Sequence, residues 1–317
     1  MLLPIVQKIN AYLSDYILMF LLIGVGFMAV RLKLFPAEAA KPMSALLMKI
    51  TLPATIFASM IRPFDPDFLG AGMAAFLLGA ILFPLYAALS VPLSRLFRVP
   101  DGRRGMWYCC TTFCNNGFMG FPVVYAIFGD DGLILAVIMG IPFNLLIYSL
   151  GAKMVCTDVP QGGVRHSLSL RTALFSPING AILLSLIFYF GQIPVPDPIL
   201  TPIQHLSNVT TPLSMIVTGM NLAQGKVSDT LRDRDAISAS GVRLLLFPVM
   251  TWALLLLVPG LDPLVVGVTL ITMAMPAPAA ATILGEQYGG CTQLGARIVF
   301  LSSLLCIVTI PLVSLLL

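Results

Sequence analysis

Two stretches of this chain set hydrogen-bonding and helix-breaking residues inside apolar surroundings. The first reads Thr111-Thr112-Phe113-Cys114-Asn115-Asn116-Gly117-Phe118-Met119-Gly120-Phe121-Pro122. Its two amides, two glycines and proline each oppose a continuous helix. The second reads Met273-Ala274-Met275-Pro276-Ala277-Pro278-Ala279-Ala280-Ala281. Pro276 and Pro278 cannot donate backbone hydrogen bonds and clash with the turn before them. A helix interrupted at membrane depth exposes backbone that lipid cannot satisfy, so it must cross within protein or line a wet cavity. The half-helix after each break opens with free N–H groups and a partial positive charge, which suits an anionic solute. Asn115 and Asn116 add amide donors and acceptors at that depth. Gly117, Pro276 and Ala277 complete the substrate-binding set expected at the breaks.

Other polar residues are expected to join or support them. Lys49 falls near the middle of an apolar span, four residues before Pro53, and an intramembrane charge is costly enough to be functional by default. It is expected to meet the solute's charge or to act as a conformational latch. Asn144 follows Pro142 in an apolar run, and Thr55 lies two residues after Pro53. Either fits a pocket or an interhelical hydrogen bond. Arg243 and Arg297 lie nearer span ends, where snorkelling to the interface is expected. All fourteen acidic residues fall at span ends or in loops. A cation antiporter needs buried carboxylates to exchange protons for cations, so that function is disfavoured. The six cysteines form no C-x-x-C pair and read as buried small hydrophobes. His166 and His205 have no partner cluster. No metal and no cofactor is expected. No buried Ser/His, Asp/Asp or H-E-x-x-H arrangement supports an enzyme, and no G-x-x-x-x-G-K-[ST] motif supports direct ATP drive.

The elements that hold these residues follow from composition. The 317 residues are 58% hydrophobic and 10% charged, against about 25% charged in a soluble domain. Such a surface must face lipid or other apolar helices. The apolar runs are continuous and about 20 residues long, which excludes a β-barrel. Ten spans are expected, at 12–30, 43–61, 68–93, 104–128, 132–152, 172–191, 199–220, 236–258, 263–286 and 293–315. The fold class is therefore all-α and integral to the membrane. Lys8 precedes the first span while Arg31 and Lys33 follow it, the reverse of a secretory leader, so this segment is expected to remain as a helix. If the N-terminus is outside, the cytoplasmic loops hold 13 basic residues and the outer segments two. Both termini are thus expected outside. No basic run is interleaved with aromatics, so nucleic acid is not an expected partner.

The two halves of the chain correspond in order. Pro42…Thr51-Leu52-Pro53…Met60 matches Pro202…Thr210-Thr211-Pro212…Met220. Leu82-Phe83-Pro84 matches Leu246-Phe247-Pro248, and Phe128-Gly129-Asp130-Asp131 matches Tyr288-Gly289-Gly290. Five spans in each half, an odd number, invert the second half relative to the first, an arrangement typical of secondary transporters. The expected division is a first repeat over 1–152, a cytoplasmic linker over 153–171 and an inverted repeat over 172–317. The breaks fall in corresponding helices, the fourth and ninth, near the membrane midplane, and mark the binding site.

The run Asn115-Asn116-Gly117-Phe118-Met119-Gly120-Phe121-Pro122, with Phe128-Gly129-Asp130-Asp131-Gly132 after it, resembles the helix-4 signature of the auxin efflux carrier family. Met275-Pro276-Ala277-Pro278 with Glu286-Gln287-Tyr288-Gly289-Gly290 resembles its helix-9 counterpart, and Lys49-Ile50-Thr51-Leu52-Pro53 its helix 2. The similarity spans essentially the whole chain. It implies an NhaA-like fold, with a scaffold domain and a transport domain that contains crossed helices 4 and 9. Plant members carry auxin, whereas the short bacterial-type members, which this chain resembles in lacking a long cytoplasmic loop, are similar to malate and malonate carriers. The resemblance also implies substrate contact by Asn115, Asn116 and Asn144. Plant members pair a lysine at the Lys49 position with an acid on helix 3, while residues 68–94 here contain no acid. The function expected is alternating-access transport of a small mono- or dicarboxylate in the cytoplasmic (inner or plasma) membrane. An efflux carrier for an auxin-like aromatic acid and an anion channel of the same architecture are the alternatives. The bilayer and the organic anion are the expected partners, and a homodimer is left open.

Overall fold

The computed structural model describes residues 2–64, 66–159, 177–224 and 230–317. Most of the expected 153–171 linker, His166 included, lies outside the described residues, as does the start of the span expected at 172. Among the described residues all regular structure is helical. The first helix, α1, runs Leu2–Arg31, about ten residues longer at its start than expected. Next come α2 (Ala40–Met60) and α3 (Pro66–Leu96). The fourth span is split: α4 covers Arg104–Thr112, residues 113–115 are irregular, and a π turn at Asn116–Gly120 leads into α5, Phe121–Leu146. A further π turn carries α5 on to Cys156. Then follow α6 (Pro177–Gly191), α7 (Asp197–Gln224) and α8 (Arg234–Leu256). The ninth span is split too, into α9 (Pro263–Met273) and α10 (Ala280–Tyr288), with irregular chain over 274–279. The last helix, α11, is Thr292–Ser314. Among the described residues five helical stretches are long and apolar enough to cross a membrane: Ala40–Met60, Phe68–Leu96, Arg104–Cys156, Arg234–Leu256 and Thr292–Ser314.

The spans expected at 104–128 and 132–152 are two helices that meet directly at Gly129, within Phe121–Leu146. Gly129, at φ +66°, turns the chain within α5, a conformation open to glycine at little cost. Three π turns share a cause: Leu47–Thr51, Asn116–Gly120 and Val242–Leu246 each end two residues before a proline, Pro53, Pro122 and Pro248. Proline has no N–H for the carbonyl four residues back, and the ladder widens around the orphan.

The helices form two groups. In one, α1 packs most heavily on α7, and α2 packs on α6 and α7. A Cβ at Gly26 would lie 2.0 Å from the Ile216 carbonyl oxygen, and one at Gly219 would lie 1.9 Å from that of Ile23. Glycine at both positions is what lets α1 and α7 touch backbone to backbone. In the other group α3, α4 and α5 pack together, α9 lies on α5, and α11 packs on α8 and α10. Tyr86 of α3 stacks on Phe247 of α8 with ring centroids 4.1 Å apart, and its hydroxyl donates to the Phe247 carbonyl at 3.0 Å.

Candidate functional site

The two interrupted spans meet at their breaks. The backbone N–H of Asn115 donates to the Pro276 carbonyl at 2.7 Å, joining the two irregular segments directly. On the far side of the crossing, the Ala277 N–H donates to Ser302 Oγ of α11 at 3.0 Å. The helix resumes at the asparagine pair rather than unwinding there: Asn115 Oδ1 accepts from the Phe118 N–H at 3.3 Å. This amide caps the half-helix that leads into α5, and Phe113 and Cys114 just before it lie in irregular chain. An Asn that satisfies an orphan N–H stabilises the start of a helix by about 1 kcal/mol, so the amide sets where the break ends.

A cavity of about 210 Å³ lies at the crossing, between the two helix groups. From one group come Met48, Lys49, Pro177 and Ile178; from the other come residues 114–118, Phe143, Asn144, Tyr148 and Pro278 to Ala280. Its volume is below the roughly 300–1,000 Å³ of drug-sized pockets, so it suits a solute of few heavy atoms. Among the described residues no carboxylate lines it. The starts of two half-helices do: residues 115–117 before α5 and residues 278–280 at α10.

Five of the residues expected at the site therefore line one cavity: Lys49, Asn115, Asn116, Gly117 and Asn144. Asn116 is 3% exposed, and its Oδ1 accepts no hydrogen bond from the described residues. Its amide sits between two glycines: a Cβ at Gly120 would lie 2.9 Å from Oδ1, and one at Gly140 would lie 3.1 Å from Nδ2. Lys49 is exposed on the cavity side of its π turn. Asn144 Nδ2 donates to Asn179 Oδ1 of α6 at 3.0 Å, joining the two helix groups beside the cavity. Thr55 stands away from the cavity, bonded to the Thr51 carbonyl at 3.0 Å and to Thr210 Oγ1 of α7 at 2.7 Å. Pro276 and Ala277 form the crossing itself, with Pro278, Ala279 and Ala280 facing the cavity in their place. Tyr148 and Phe143 on the lining, and Asn179 bonded to Asn144 beside it, were not expected. Asn179, an amide two residues into an apolar helix, carried a readable signal; the aromatic pair is indistinguishable from core in a chain this apolar.

Arg243 overturns an expectation. It does not snorkel but is fully buried. Its Nε donates to the Met275 carbonyl at 3.0 Å, one terminal nitrogen to the Met273 carbonyl at 2.6 Å, and the other to those of Thr111 and Thr112 at 3.3 Å. The last carbonyls of a helix have no intrahelical partners. Two broken helices ending side by side offer enough of them to hold a guanidinium. Arg297 does not snorkel either, but pairs with Asp233 at 2.6 Å, as does Arg103. Burial raises the Asp233 carboxyl, but Arg297 and Arg103 together hold it below the usual carboxylate range. Nearby, Asp158 accepts from the N–H groups of Gly105, Met106 and Cys291. It thereby caps α4 and meets the start of α11.

A family model described as "Membrane transport protein" matches residues 13–161 and 164–314. The chain belongs to this family, that of the auxin efflux carriers. Its similar proteins are transporters, not enzymes. An "Uncharacterized transporter" of Methanothermobacter thermautotrophicus is 26% identical over 299 residues, covering 92% of this chain and 94% of that protein. A second "Uncharacterized transporter", from Methanocaldococcus jannaschii, is 25% identical over 93% of this chain and 96% of its own length. A Rhizobium meliloti protein named "Putative malonate transporter" is 21% identical over 91% of this chain and 90% of its length. With its apolar helices, this family member is a multi-pass membrane transporter.

Proposed function

We propose that this transporter is a secondary carrier of a small organic anion, a mono- or dicarboxylate of malonate or malate size. One observation carries the reading: a cavity with no carboxylate among its described lining residues lies where two broken helices cross and present the starts of their second halves. Those ends favour negative charge, and Lys49 adds a cation at the rim. The relative whose name proposes malonate as its cargo points to the same solute class. The architecture proposed is ten spans in two inverted five-helix repeats, with both termini outside the inner or plasma membrane. The α1–α2–α6–α7 group serves as scaffold and the other group moves against it to give alternating access. Asn115, Asn116, Gly117, Asn144 and Lys49 are the proposed contacts. Thr55 supports the scaffold, while Pro276 and Ala277 shape the crossing.

The test is binding and flux in liposomes. A charge-assisted hydrogen bond contributes about 1.5–3 kcal/mol, so Asn116→Ala should weaken malonate binding tenfold to a hundredfold with little loss of thermal stability. Lys49→Ala should weaken binding of malonate more than of malonamide. Normal binding and flux in Asn116→Ala would remove the site from the crossing. Saturable, counter-substrate-stimulated flux is expected, and unitary current steps would instead mean a channel.

A further inference from the structure

We infer that Arg243, which the cavity does not expose, sets the charge preference of the site. This rests on the anion reading above and names its electrostatic source. A crossing of two broken helices brings four helix ends together. Two are amino ends, each carrying roughly half a positive elementary charge, and two are carboxyl ends carrying as much negative charge. On their own these dipoles cancel at short range, and the crossing favours no sign of solute. Arg243 breaks the cancellation. Its three nitrogens donate to carbonyls at both carboxyl ends, those of Thr111 and Thr112 in the last turn of α4, and those of Met273, which ends α9, and Met275 just past it. A guanidinium does not deprotonate in proteins, and no ion pair among the described residues involves Arg243. Its charge is therefore spent on the two helix ends, and the two amino ends at the cavity keep theirs.

The arrangement is specific to arginine. A planar fork with donors on three nitrogens spans two chain segments, whereas an ammonium is a compact point charge. Thr112 stands two residues from Cys114, which lines the cavity. Arg243 is thus within about 10 Å of the cavity wall. At an effective dielectric of about 20, a unit charge at that range changes affinity for a monoanion roughly tenfold to twentyfold.

The experiment measures dissociation constants of purified protein for acids and their neutral amides: malonate against malonamide, and phenylacetate against phenylacetamide. Wild type, Arg243→Gln and Arg243→Lys are compared, with size-exclusion and thermal unfolding to establish folding. Arg243→Gln should lose at least tenfold of the acid-over-amide preference while amide binding changes less than threefold. Arg243→Lys should keep the preference within about threefold but turn over more slowly, since fewer carbonyls are held. If Arg243→Gln keeps the wild-type preference, the inference is overturned while the anion reading stands. If Arg243→Gln cannot be recovered folded, Arg243→Lys decides: a folded lysine variant without the preference overturns it. A wild type that binds neither acid better than its amide overturns the anion reading itself and this inference with it.

Discussion

Arg62 closes the end of the bundle away from the cavity, and removing it should shift the conformational balance measurably. It follows α2 in the α1–α2–α6–α7 group, yet its guanidinium pairs with Asp131 of α5 in the other group. It also lies over the Phe68 ring of α3, 4.5 Å from the centroid. Beneath it Met60, Ile134 and Tyr189 pack as a buried apolar cluster. The ion pair is partly exposed, 23% at Arg62 and 54% at Asp131, so it contributes about 0.5–1 kcal/mol. The cation–π contact adds about 0.5–1 kcal/mol. If both are absent when this end opens, Arg62→Ala shifts the equilibrium by about 1–2 kcal/mol, roughly fivefold to thirtyfold. Asp131→Asn removes only the pair, for a shift of roughly twofold to fivefold. The assay is pulsed electron resonance between spin labels on Leu69 and Ile187, both exposed and on opposite helix groups. The long-distance population should rise in the order wild type, Asp131→Asn, Arg62→Ala. High salt should move wild type toward Asp131→Asn. Identical distance distributions in all three would refute the idea that this contact holds the two groups together.

Asp233 joins Arg103 and Arg297 and caps α8 through the Asp235 and Ala236 N–H groups. Asp233→Asn should lower thermal stability at pH 7 by about 1–3 kcal/mol. Because the folded carboxyl is held low, its contribution is present above about pH 3.9, the unfolded value, and is lost as pH falls through the still lower folded one. The wild type's advantage over Asp233→Asn in thermal unfolding should vanish in acid. Gly140→Ala would put a Cβ 3.1 Å from Asn116 Nδ2 and 3.2 Å from Phe121. It should displace the amide and cut malonate affinity about tenfold, and unchanged binding would show that the amide orientation is not set there. Gly219→Ala meets backbone, the Ile23 carbonyl oxygen at 1.9 Å. It should destabilise the protein by about 3 kcal/mol or more, beyond the usual range for overpacking, and lower the unfolding temperature clearly.

The membrane class and the two breaks were legible in the sequence because they are local. Apolar run length and the missing proline N–H act within a turn or two, whatever the rest of the chain does. The asparagine pair and Asn144 stood out for the same reason, as amides in apolar runs. What no single segment encodes is which carbonyl meets which side chain once distant spans pack. Arg243 read as a snorkelling residue because its four acceptors lie 30 to 32 or more than 130 positions away, on helices whose ends become adjacent only in the fold. Arg297 likewise reaches Asp233, 64 residues distant. Thr55, read as a pocket candidate, was claimed by Thr210, 155 residues away. A buried polar group goes to whichever partner the packing brings within about 3 Å. That distance is set by tertiary structure alone.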